Sequence, residues 1–258
     1  MWNLSYISRE DLTVHVKETI KKYGEKLTSY DIKKFNSNLI DPIKLAFDKN
    51  VYQVSWEDII KNEIFRQRDK SSNNDIGYFH QNIFRYITNC EVPQSGWDVI
   101  HTNKNGITID GYPVKKVFVE MKNKHNTMNS AAAGKTYIKM QNALLQDDDS
   151  ACFLVEVIAK TSQNIKWETT VDKNKVGHKL IRRVSIDKFY ELVTGETDAF
   201  YKLCMVLPEI IEDAVKNSSD LEIPNDIVFQ QLKMLADEKG ITISMALYLL
   251  VFNNYLGF

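Results

Sequence analysis

The stretch VFVEMKNKHNTMNSAAAGKTYIKMQNALLQDDDSACFLVEVIA, residues 117–159, decides the fold. It opens on an alternation, with Val117, Val119 and Met121 on one side of an extended chain and Phe118, Glu120 and Lys122 on the other. That period of two is the signature of a strand with one face in a core. Asn129 or Ser130 then offers an N-cap to a helical run from Ala131 to Leu145, stopped by the acidic run Asp147 to Asp149. ACFLVEVIA, residues 151–159, is apolar almost throughout, as a central strand covered on both faces requires. Strand, helix and buried strand in succession predict an α/β architecture.

Upstream, WDVIH (97–101) reads as a short strand, NKNG (103–106) as a turn and GITID (106–110) as another short strand. DGYP (110–113) turns the chain again into the strand that carries Glu120. The first seventy residues read as helices. Leu12, Val16, Ile20 and Tyr23 recur at helical spacing behind a cap at Ser8, and Ser29 and Ser55 are further cap candidates. The polar run DKSSNND (69–75) is expected to break the pattern before a new helix, IGYFHQNIFRYI (76–87), striped by Ile76, Phe79, Ile83 and Ile87. Downstream lie a basic stretch with room for a hairpin and helical patterns near 186–193, 199–216, 225–239 and 244–255, with Gly240 a C-cap for the third. No linker interrupts the chain. The expectation is one domain over 1–258: a helical part (1–72), a core (73–160) and a C-terminal elaboration (161–258).

Composition narrows the function classes. With 43% hydrophobic and 26% charged residues and a net charge of −1, the chain is no disordered polymer. No apolar run approaches the roughly 20 residues of a membrane span, and the opening MWNLSYISRED meets acids too early for a signal-peptide core. Cys90, Cys152 and Cys204 are widely separated and odd in number, against a disulfide scaffold and for a reducing, cytoplasmic compartment. His15, His80, His101 and His178 share no spacing with cysteines or carboxylates that would suit zinc. The neutral total conceals segregation: residues 115–139 and 160–188 each carry +5, and residues 191–258 carry −7. A basic middle suits a polyanion such as nucleic acid, although runs of charge are most often plain solvated faces.

Glu120 and Lys122, two apart on a strand, project from one face, and Asp98 in GWDVI can reach the same place from the neighbouring strand. Two carboxylates suit a hard divalent cation such as Mg²⁺. A neighbouring ammonium can orient a water and offset phosphate charge. These are the parts needed to hydrolyse a phosphodiester. Taken by itself, a Glu and a Lys on the outer face of a strand are also ordinary surface chemistry.

The segments IGYFHQNIF (76–84), GWDVI (96–100) and VFVEMKNKHNTMNSAAAGKTYIKMQ (117–141) carry a resemblance. In order and in the D…ExK pattern the chain resembles the PD-(D/E)xK nuclease superfamily. More locally it resembles type II restriction endonucleases that cut GGNCC-like and GGWCC-like palindromes. Trp97 stands where the superfamily's nominal Pro would precede Asp98. The resemblance implies a mixed central sheet flanked by helices, with helical elaborations at both ends. It implies Asp98 and Glu120 as metal ligands and Lys122 as the residue that positions the attacking water, with Met121 lending only its main-chain carbonyl. Superfamily members often add an acid from the preceding helix. Here that helix offers Gln81, with Asp75 and Glu63 as other choices, and Gln81 would hold a water rather than the ion. The partners implied are double-stranded DNA and a second copy of the chain, since a palindrome is matched by a two-fold dimer, and the setting implied is the bacterial cytoplasm.

Lys124, His125 and Asn126 follow the catalytic strand, and Lys135 and Lys139 lie on the next helix; all five are candidates for touching DNA. Lys124, Arg182 and Arg183 could reach guanine acceptors in a major groove. Two other readings compete. NSAAAGKT (129–136) imitates a phosphate-binding loop in which Lys135 and Thr136 would hold a nucleotide, although Asn129 replaces its first Gly and three alanines favour helix. Alternatively the chain binds DNA without cutting it and the carboxylates are structural.

Overall fold

The computed structural model describes residues 2–218, 221 and 224–256. In chain order the elements are α1 (Arg9–Lys26), α2 (Ile32–Asn36), α3 (Pro42–Val51), α4 (Trp56–Asn82), a 3-10 turn (Ile83–Tyr86), β1 (Cys90–Glu91), β2 (Val99–Ile109) and β3 (Tyr112–Lys124). There follow α5 (Ser130–Gln146), β4 (Ser150–Ile158), β5 (Asn164–Val171), β6 (Asn174–Ser185), α6 (Ile186–Thr194), α7 (Ala199–Lys216), α8 (Val228–Lys239) and α9 (Ile243–Phe252). They fall into two compact units, one of residues 1–20 and 75–217, the other of 21–74 and 218–258.

The described residues of the first unit build a six-stranded sheet in the order β1-β2-β3-β4-β6-β5. β2 and β3 form a hairpin whose two-residue loop is Asp110–Gly111, both at positive φ (52° and 83°). An Asp-Gly pair suits that left-handed turn, which follows the natural twist of the strands. β3 crosses over through α5 to β4, which lies parallel to it, and β4 pairs parallel with β6. Covered on both sides, β4 is buried from Ser150 to Val157, and its apolar sequence is the consequence. β5 and β6 close the far edge as an antiparallel hairpin.

Alternation sorts the two faces. Val117, Val119 and Met121 join Phe153, Val155 and Val184 in a core that also takes in residues of α6, α7, α1 and the 3-10 turn. On the opposite face Cys152, Leu154 and Ile181 pack against Tyr137 and Met140 of α5 and against Trp167, with Phe118 and Trp97 at the margin. Each such buried side chain contributes on the order of 1.5–3 kcal/mol. The α/β mixed sheet flanked by helices is therefore as expected.

The second unit has its own core, in which Phe35, Leu45, Ile60 and Ile64 meet Leu232, Ala246 and Leu247. Gly240 closes α8 in the left-handed conformation (φ 64°), as read from sequence.

Three local expectations fail. NKNG is no hairpin turn: β2 runs through it, and the strand absorbs the extra residues as an irregularity between Thr102 and Ile107. DKSSNND does not end a helix, because α4 continues unbroken from Trp56 to Asn82. Neither Gly nor Pro lies in that run, and Ser, Asn and Asp lower helix propensity without breaking the backbone ladder. Ser29 is not the cap it was expected to be. Asp31 caps α2, accepting from the Lys34 amide, whereas Ser8 and Ser55 do accept from the amides of Asp11 and Asp58.

Candidate active site

β2 and β3 bring the site together by register. Val99 pairs with Val119, so one step further the strands set Asp98 opposite Glu120. The Asp98 amide donates to Val119 O at 3.0 Å, and the Met121 amide donates to Asp98 Oδ2 at 2.6 Å. Asp98 Oδ1 accepts from Gln81 Nε2, supplied by the last turn of α4. Both carboxylate oxygens of Asp98 are thus fixed by the fold before any ligand arrives.

Glu120 is only 17% exposed and lies between two ammoniums. Oε1 accepts from Lys122 Nζ at 2.8 Å and Oε2 from Lys139 Nζ at 2.8 Å. Lys139 reaches in from α5, donates to the Gly96 carbonyl, and sits 4.0 Å from the centre of the Trp97 ring. Trp97 in turn stacks on Phe118, with ring centres 5.2 Å apart.

The two carboxylates differ electrically. Burial pushes the Asp98 carboxyl above its ordinary value, and the Glu120 charge adds to this against the Met121 amide and the two lysines. Burial pushes Glu120 upward too, but Lys122 and then Lys139 outweigh it and hold Glu120 below its ordinary value. The two carboxyls are thus shifted in opposite directions.

The donor set is hard: carboxylate and amide oxygens, with no thiol or imidazole in the group. Among the described residues no cluster of three or more His, Cys, Asp or Glu forms. An ion on Asp98 and Glu120 would complete its shell with water and substrate oxygens, the habit of Mg²⁺ rather than of zinc.

The structure therefore gathers Asp98, Glu120, Lys122 and Gln81, and adds Lys139, for which a DNA-facing place on the helix had been expected. Asp75 is buried in α4, and Glu63 lies in the second unit, bonded to Arg66 and Gln67. Lys124 and Lys135 are exposed. His125 and Asn126 belong to a separate cluster that sequence reasoning missed. It centres on Glu156, 2% exposed, which pairs across the sheet register with Lys122. Glu156 accepts from Arg183 at 2.5 Å and lies 3.0 Å from His125 Nδ1, and Arg183 also donates to Asn126 at 3.3 Å. The signal was present: Glu156 is the lone charge inside the apolar run of β4, and a buried charge needs a partner.

Arg182, once a candidate base reader, is buried and bound to Asp110 and to both the side chain and main chain of Asn164. It ties the sheet together. The phosphate-loop reading of 129–136 is not favoured either. Asn129 caps α5 by accepting from the Ala132 amide, and the alanines and Gly134 already lie in helix. An anion nest needs those amides free.

Residues 4–216 match the Eco47II restriction endonuclease family. The chain is 28% identical over an alignment of 269 positions, gaps included, to the type II restriction enzyme Sau96I of Staphylococcus aureus, covering 99% of this chain and 98% of that one. It is 28% identical over 218 residues to the type II restriction enzyme Eco47II of Escherichia coli, covering 81% of this chain and 87% of the relative.

Proposed function

The chain belongs to the Eco47II restriction endonuclease family, and from that premise we propose that it is a Mg²⁺-dependent type II restriction endonuclease. It acts as a homodimer on a short palindromic, GGNCC-like site in double-stranded DNA, in the cytoplasm of a bacterium. The observation that carries the reading is the convergence of Asp98, Glu120 and Lys122 at the end of β3, with Gln81 held on Asp98. Among the described residues no helix is long and apolar enough to cross a membrane.

Asp98 and Glu120 would hold the cation, which when bound supplies charge to the phosphate and acidifies a water. Asp98 is oriented by the Met121 amide and by Gln81, so its oxygens need little reorganisation when the site fills. Lys122 keeps Glu120 ionised and, beside the phosphate, orients the attacking water and offsets charge on the phosphorus oxygens. Gln81 holds a water at the margin. The bond from phosphorus to the leaving oxygen breaks as the water oxygen bonds in line, and no covalent enzyme intermediate is required.

Purified protein incubated with plasmid and Mg²⁺, followed by sequencing of the ends, tests this. Discrete fragments that vanish in EDTA and with Lys122→Ala are expected. Cutting that persists in Lys122→Ala, or a gel shift by the intact protein with no cutting in Mg²⁺, overturns it.

A further inference from the structure

We propose that Lys139 is a built-in placeholder for the divalent cation: its ammonium holds Glu120 Oε2 until an ion takes that oxygen, and so limits how tightly the DNA-free enzyme takes up metal. This rests on the reading of Asp98 and Glu120 as the ligand pair.

Both oxygens of Glu120 are taken, but by lysines of different standing. Lys122 is two residues away on the same strand, so its place beside Oε1 follows from the strand itself. Lys139 comes from another element and meets Oε2 at 2.8 Å on a long stem. Its other contacts are the Gly96 carbonyl and the face of Trp97, both from the segment that leads into Asp98. A carboxylate oxygen, a carbonyl and an aromatic face converge on one point, and all three attract cations. Charge balance points the same way. Asp98, Glu120 and Lys122 alone sum to −1, and Lys139 brings the group of side chains to neutrality. An incoming cation must displace that ammonium or bind beside it.

The sign of the effect separates this role from others. Removing a lysine needed only to brace Glu120 would weaken ion binding, and removing one that stood apart from Glu120 would leave it unchanged. A placeholder, when removed, strengthens it. Lys139→Met keeps the stem over Trp97 and removes the charge. One hydrogen bond to a charged group contributes about 1.5 kcal/mol or more, which corresponds to roughly tenfold.

The test is Mn²⁺ titrated into the full chain without DNA, followed by the EPR signal of free Mn²⁺. Lys139→Met should bind about tenfold more tightly than the unaltered protein, and Lys139→Arg, which keeps the charge, should match it. Unchanged or weaker binding by Lys139→Met, while Glu120→Gln abolishes binding, overturns the placeholder and leaves the ligand pair standing. Undiminished binding by Glu120→Gln overturns the ligand pair and the placeholder with it. Should Lys139→Met and Lys139→Gln both lose their far-UV circular dichroism, Lys139 is a structural strut and the proposal fails.

Discussion

Replacing Glu156 by Gln removes one charge from the middle of a strand and keeps the shape. The partners left behind are Arg183 and His125, only 21% and 19% exposed, so solvent screens them little. Removing one member of a buried pair costs about 3–5 kcal/mol. Gln retains an oxygen that can still accept from Arg183, which brings the expected loss to about 2–3 kcal/mol. With a urea slope near 3 kcal/mol/M for a unit of this size, the midpoint should fall by roughly 0.7–1 M. Fluorescence in a Trp56→Phe background reports the first unit, because Trp2, Trp97 and Trp167 all lie there. The pH dependence has a definite sign. Burial raises Glu156, but Arg183 and then His125 hold it below its ordinary value. Its contribution is therefore complete above the unfolded value of about 4.3 and is lost as pH falls through the lower folded value. The gap between the two proteins should be full at pH 7 and should narrow below pH about 4. A midpoint shift under about 0.2 M at pH 7, or one of equal size at pH 3, would refute the reasoning.

Asp98→Asn should abolish cleavage, by more than about a hundredfold given that even outer partners of a metal ligand cost 10- to 100-fold, yet raise thermal stability. Burial lifts Asp98 above its ordinary value, so its ionised form destabilises the fold at neutral pH. That penalty disappears as pH falls through the raised value, and the gain in Tm, read by calorimetry, should vanish below about pH 4. A lower Tm at pH 7 would contradict this. Lys135, exposed on α5, should act only on phosphate. Lys135→Ala should lower the slope of log Kd against log salt by about 1 without changing the sequence that is cut, as read by anisotropy in Ca²⁺ and by end mapping. An unchanged slope removes Lys135 from the interface.

What could be read from sequence was what local patterning dictates. The alternation through Val117, Val119 and Met121 fixed which face Glu120 and Lys122 share, and the Asp110–Gly111 pair fixed the hairpin that carries Asp98 to them. The apolar run of β4 declared its central place. What stayed hidden depends on residues distant along the chain. Gly106 sits at positive φ (85°) inside β2 rather than in a loop, because pairing with β3 on both sides overrides a local turn signal. Lys139 looks like any surface lysine until α5 is docked, when Gly96, Trp97 and Glu120 surround it. The second unit is assembled from two segments, 21–74 and 218–258, that are separated in the chain by residues 75–217 of the first, so no linker composition could mark it.

The most direct measurement is the anomalous diffraction of Mn²⁺ in crystals of the protein with its cognate DNA. The account predicts a peak within coordination distance of a carboxylate oxygen of both Asp98 and Glu120, beside the scissile phosphate, with Lys122 still in contact with the site. A peak held by other side chains, or none between these two carboxylates while the DNA is bound and uncut, would contradict it.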